Sequence, residues 1–94
     1  RRGGITIFPE DIEGILLNDK NIKEVAVVGK EEKIKTLIYL FVKKEKNIDE
    51  NYIKNICLKK LSTFQIPNHI ILVNQFSKLG LGKINKRQLI KKLA

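Results

Sequence analysis

The 94-residue chain contains one cysteine, one histidine, two prolines and neither tryptophan nor methionine. A lone cysteine excludes an internal disulfide and a multi-cysteine zinc site, and it points to the reducing cytoplasm. The single histidine, His69, has no serine, aspartate or cysteine at a spacing that would make a nucleophilic triad. No apolar run approaches the ~20 residues of a membrane-spanning helix. The opening stretch, RRGGITIFPEDIEG, has no long apolar segment and soon turns acidic, unlike a secretory signal. There is no metal-ligand cluster, no carboxylate pair placed for acid–base work, no internal repeat and no inter-domain linker. Of the six aromatics, Tyr39, Phe41 and Tyr52 are expected to be core or half-buried. They do not form the basic–aromatic surface of an RNA-binding sheet. What is left is one small domain with a modest core.

The most informative absence is acid after Glu50. Residues 1–50 hold 10 Lys+Arg and 10 Asp+Glu, whereas residues 51–94 hold 9 Lys+Arg and no acid. The whole net charge of +9 therefore lies in the second half. Such asymmetry implies an anionic partner, either a nucleotide phosphate or a nucleic acid. A basic nucleic-acid-binding module formed by residues 51–94 rests on charge alone and ranks below the reading developed next. An AT-rich genome would by itself enrich the chain in Ile, Lys and Asn.

Hydrophobic periodicity orders the chain as α-β-β-α-β-α, an α+β domain with helices on a small sheet of about three strands. Pro9 suits a first helical position, followed by Glu10, Asp11 and Glu13 near the positive helix start. Ile12, Ile15 and Leu16 make one apolar face, and the helix is expected to end near Asn18–Asn21. Val25–Val28 read as a buried strand closed by Gly29, and KEEK as the turn into a second, antiparallel strand, IKTLIYLFVKK. Asn47 or Asp49 can cap a helix with Ile53, Ile56, Cys57 and Leu61 on one face. Cys57 is therefore expected to be a small core residue. Pro67 breaks the chain before the strand HIILV. The last helix, KRQLIKKLA, is expected to turn Leu89, Ile90 and Leu93 inward.

Between that strand and that helix lies SKLGLGKINKRQ. A Walker loop would need glycine where Ser77 stands and Ser/Thr where Ile84 stands, and a dinucleotide fingerprint would need glycine at Asn85. Both motifs fail. Lys83, Lys86 and Arg87 nevertheless cluster at a helix start, against the helix dipole and with no acid nearby in sequence. A local rule broken in this way often marks function.

Four stretches together carry a resemblance. RRGGITIFPEDIE resembles basic-x-Gly-Gly-x-x-Ile-x-Pro-x-Glu-Ile-Glu, and IKEVAVVG resembles Val-x-Glu-Ala-Ala-Val-Val-Gly. LSTFQIPNHIILV resembles Leu-x-x-Tyr-Lys-x-Pro-x-x-Ile-x-x-Val, and FSKLGLGKINKRQL resembles Leu-Pro-Lys-Thr-x-x-Gly-Lys-Ile-x-Arg-x-x-Leu. In this order and spacing they are similar to the C-terminal domain of the adenylate-forming enzymes: acyl-CoA synthetases, peptide-synthetase adenylation domains and luciferases. The departures are Ser77 and Leu79 for proline and threonine, Lys86 for arginine, and Ile5 and Thr6 after the glycine pair.

The resemblance implies a two-step ligase using ATP, Mg2+ and coenzyme A. A carboxylic acid first becomes an acyl-adenylate, and a thiol then displaces AMP. A large N-terminal adenylation domain would be the partner of this chain, with acid, ATP and CoA at the interface between them. Lys83 would supply the charge for the first step, with Gly82, Lys86 and Arg87 as its anion-binding surroundings. Gly3 and Gly4 would face the thiol in the second step. The hinge is expected just upstream of Arg1. The chain alone is then expected to be inert and to hold no cofactor. A carrier protein in place of CoA as thiol acceptor is the alternative.

Overall fold

A computed structural model describes residues 1–93. Three strands form one sheet in the order β1-β2-β3, spanning Val25–Glu32, Lys35–Lys43 and His69–Val73. The helices are α1 (Pro9–Leu17), α2 (Glu50–Lys60) and α3 (Lys86–Lys92), with single 3-10 turns at Thr63–Gln65 and Gly80–Gly82. The α+β class and the α-β-β-α-β-α order agree with the sequence reading. β1 and β2 pair antiparallel, whereas β3 lies parallel to β2, reached by a crossover through α2.

Strand alternation builds two cores from one sheet. Val25, Val27, Ile38, Leu40 and Val42 point to one face, where they meet Ile12 and Leu16 of α1 and Ile53 and Cys57 of α2. Ala26, Val28 and Phe41 point to the other face, where Phe76 and Leu89 cover them. The continuous run Val25–Val28 therefore serves both layers, as expected of a strand buried on each side. Each such aliphatic side chain contributes roughly 1.5–3 kcal/mol when fully buried.

Local signals fix the ends of the helices. Pro9 occupies the start of α1, and the Asp49 side chain accepts the Tyr52 N–H at 2.8 Å to cap α2, so Asp49 rather than Asn47 is the cap. Tyr52 Oη donates to the Asp19 carboxylate and accepts from Asn21 Nδ2 at 2.9 Å, tying the end of α1 to α2.

Two expectations are corrected. Gly29 does not close β1. The strand continues to Glu32, and Lys33–Ile34 form the turn. Lys30–Glu32 find ladder partners in Lys35–Leu37, so pairing overrides the glycine signal. In α3, Leu89 is buried and Leu93 packs against the same cluster, but Ile90 is 52% exposed. A residue adjacent to Leu89 is turned ~100° around the helix, off the face that Leu89 and Leu93 share.

Candidate functional site

After β3 the chain drops Phe76 into the second core and then forms a narrow hairpin over Ser77–Asn85. The Asn85 N–H donates to the Ser77 carbonyl at 2.8 Å, and the Leu79 N–H to the Lys83 carbonyl at 2.6 Å. Lys78 and Ile84 lie opposite each other between those bonds. The tip is Gly80-Leu81-Gly82. Gly82 has φ +79°, a left-handed conformation natural to glycine, and Leu81 has φ 65° with its side chain wholly exposed. The half-buried Ile84 packs on the second core and anchors the returning leg.

The cations of this segment divide into two groups. Lys78 Nζ pairs with Glu24 Oε1 at 2.7 Å, and Lys86 Nζ pairs with Glu13 Oε2 at 2.7 Å. Both legs of the hairpin are thus tied to acids of the N-terminal half. Lys83 and Arg87 are exposed and pair with no acid among the described residues. The expectation that no acid would neutralise the cluster therefore fails for Lys86. Glu13 is distant in sequence, and only the packing of α1 and α3 around β1 brings it there. It also resolves why a lysine sits in the first turn of α3, where the helix dipole opposes it. The Asn85 side chain accepts the Gln88 N–H at 3.3 Å, capping the same turn.

Gly3 and Gly4 occupy a second, separate turn. Arg2 and Ile5 exchange two backbone hydrogen bonds of 2.8 Å across it, and the glycines have φ 55° and 81°. Two successive left-handed residues define a type I′ turn, which explains why both are glycine. The Arg2 side chain holds this turn to the sheet. Its guanidinium donates to the Ile66 carbonyl at 2.7 Å, to the carbonyls of Thr36 and Phe64, and to Asn68 Oδ1. Partial burial without an acid partner lowers the Arg2 pKa from its usual value.

The two turns lie at opposite ends of β2. Arg2 binds at Thr36, while the backbone carbonyl of Glu24, the residue that pairs with Lys78, accepts the Lys43 N–H at 3.0 Å. At ~3.3 Å per residue the strand between Thr36 and Lys43 separates them by roughly 20 Å. The hairpin and the glycine turn therefore do not form one site within this domain.

The remaining candidates are structural. Cys57 is buried, and desolvation pushes its thiol up to about 11, so it is not a nucleophile at neutral pH. His69 is exposed and stacks on Tyr39 with ring centroids 4.7 Å apart. No group of His, Cys, Asp and Glu among the described residues could hold a metal. No helix there is long and apolar enough to cross a membrane. A groove of about 570 Å³ runs between α2 and β3, lined by Tyr39, Leu58, Pro67 and His69 among others, but Lys83 does not line it. Two contributors to the hairpin were missed from the sequence, Glu13 and Glu24. The Glu-Ile-Glu match containing Glu13 was the available signal. Its role was hidden because the partner is 73 positions away in the chain, at Lys86.

Comparison with known proteins places this geometry. The AMP-binding enzyme C-terminal domain matches residues 11–83. The 2-succinylbenzoate–CoA ligase of Listeria monocytogenes is 34% identical over 88 residues, covering 93% of this chain and 19% of that protein. The mitochondrial medium-chain acyl-CoA ligase of Homo sapiens is 34% identical over 93 residues, covering 94% of this chain and 15% of that protein. The Mycobacterium tuberculosis fatty acyl CoA synthetase superimposes with a TM-score of 0.82 at 25% identity, over 97% of this chain and 18% of that one. The chain thus spans less than a fifth of each of these relatives. With its three-stranded sheet and three helices, this chain belongs to the AMP-binding enzyme C-terminal domain family.

Proposed function

We propose that the chain is the mobile C-terminal domain of an ATP-dependent, AMP-forming acid–CoA ligase, with a large N-terminal adenylation domain as its partner. One observation carries the reading. Of the lysines on the hairpin and at its foot, Lys78 and Lys86 are spent on ion pairs while Lys83, exposed beside the tip, pairs with no acid among the described residues. A cation held out on a narrow, glycine-tipped hairpin is suited to entering a cleft that another domain provides.

Adenylation joins two anions. The carboxylate oxygen of the acid attacks the α-phosphorus of ATP, and pyrophosphate leaves. The Lys83 ammonium, a compact charge on a flexible stem, would offset charge building on the α-phosphate in the transition state. It need not accept or donate a proton. Mg2+ would arrive with the ATP phosphates, since the domain's described acids form no metal cluster. In the second step the CoA thiol attacks the acyl carbonyl and AMP leaves. The Gly3–Gly4 turn, at the other end of β2, would face that thiol after the domain rotates. Exposed Arg87 keeps the hairpin's surroundings positive, whereas Lys86 serves as an anchor. Action in the cytoplasm is part of this reading, based on the single buried thiol.

The test uses the complete enzyme that contains this domain. Lys83→Ala should lower acid-dependent ATP–pyrophosphate exchange by on the order of a hundredfold or more. It should spare CoA transfer to a supplied acyl-adenylate. Equal loss of both steps would overturn the role given to Lys83. Exchange that proceeds while a carrier protein, and not CoA, accepts the acyl group would replace CoA as the thiol.

A further inference from the structure

Glu13 sits where three layers meet. It projects from α1 to the open edge of β1, the outermost strand on that side. There its Oε2 accepts the Val27 N–H at 2.7 Å, a donor that β2 leaves unused. The same oxygen takes Lys86 Nζ at 2.7 Å from α3, which packs on the opposite face of the sheet. The Glu13 side chain is only 16% exposed, against 34% for Lys86. A charged acceptor that also satisfies a backbone N–H is the stronger kind of hydrogen bond. The Val27 N–H, fixed in the strand, holds the carboxylate independently of Lys86, which is its second donor.

Lys86 is three residues from Lys83, and the segment between them has little freedom. Ile84 packs on the second core, the Asn85 N–H bonds back to Ser77, and the Asn85 side chain caps α3. Fixing Lys86 therefore fixes the foot of the hairpin that carries Lys83. The opposite leg is held by Lys78–Glu24, which is more exposed at 40% and 28%. Glu24 is also shared with Lys43, at 3.9 Å.

We infer that Glu13 is a positioning residue for the adenylation step, acting through Lys86 to aim the Lys83 hairpin. The inference rests on the role of Lys83 proposed above. A preset aim matters because a small misplacement of a catalytic group can cost up to ~100-fold in rate. The clasp bonds at Val27, opposite Leu40 and four residues along β2 from Thr36, where Arg2 of the glycine turn binds. It makes no contact with that turn among the described residues, so it should influence only the first step.

The experiment compares both half-reactions in the complete enzyme for Glu13→Gln, Lys86→Arg, Lys86→Met and Lys83→Ala, with thermal unfolding recorded alongside. Glu13→Gln keeps an acceptor for the Val27 N–H and removes only the charge, so folding is preserved. The expected result is a ~10-fold fall in kcat for ATP–pyrophosphate exchange in Glu13→Gln and Lys86→Met, with the KM for ATP little changed. Lys86→Arg should restore most of that loss, and thioester formation from supplied acyl-adenylate should stay at the wild-type rate in all four. Exchange unaffected by Glu13→Gln, while Lys83→Ala abolishes it, would overturn the positioning role and leave the function of Lys83 standing. Equal slowing of both half-reactions by Glu13→Gln would reduce the clasp to a structural brace and overturn the inference. Exchange unaffected by Lys83→Ala itself would remove the underlying reading and the inference together.

Discussion

Glu13 and Lys86 meet at 2.7 Å across the edge of the sheet, and the oxygen they share also holds the Val27 N–H. The acid and the lysine therefore matter unequally to stability. Glu13→Ala strands a backbone donor as well as an ammonium, whereas Lys86→Ala leaves a carboxylate that still has a partner and access to water. Denaturant unfolding should show Glu13→Ala destabilised by about 1–3 kcal/mol and Lys86→Ala by about 1 kcal/mol or less. Equal losses would mean that the Val27 bond contributes nothing.

Gly80 and Gly82 flank the same exposed leucine but differ in backbone. Only Gly82 has a left-handed φ, +79°, and open space surrounds both. Gly82→Ala should cost about 1 kcal/mol from backbone strain alone. Gly80→Ala should stay within a few tenths of a kcal/mol, or stabilise slightly by restricting the unfolded chain. Paired melting curves of the two variants decide the matter.

Burial of Cys57 makes stability depend on alkaline pH. Its thiol titrates near 9.0 when unfolded and at about 11 when folded. Below pH 9 it is protonated in both states, and its contribution is fully present. Above 9 the unfolded chain releases the proton while the folded one retains it, so stability declines as pH rises towards 11. Wild type should therefore lose stability faster than Cys57→Ala between those values. Urea titrations at intervals across that range measure the difference. Native protein at pH 8 should also react with a thiol reagent only as fast as it unfolds.

Much of the fold was legible because its signals are local. Pro9, the apolar run Val25–Val28, a cap at Asn47 or Asp49 and the break at Pro67 each act within a few residues, and the start of α1, the buried part of β1, the capped start of α2 and the break before β3 fall where the sequence placed them. Gly29 misled because ladder pairing with Ile38 decides a strand's length, and that partner is not visible from β1 alone. Ile90 misled because a seven-residue helix docks on a narrow face, and packing selected Leu89 and Leu93 for it.

The glycine-tipped lysine hairpin and the Gly3–Gly4 turn were apparent as motifs, since glycine is the residue those left-handed conformations require. The division of labour among the lysines was not. The resemblance set Lys83 apart, but sequence alone assigned Lys86 and Arg87 the same supporting role beside it in an acid-free half of the chain. Tertiary structure separated them by carrying Glu13 and Glu24 across from the other half, which spends Lys86 and Lys78 and leaves Lys83 without an acid partner among the described residues. The physical reason is range. Propensity, capping and turn chemistry are properties of neighbours along the chain, whereas an ion pair between residues 13 and 86 exists only once β1 has packed α1 on one face and α3 on the other.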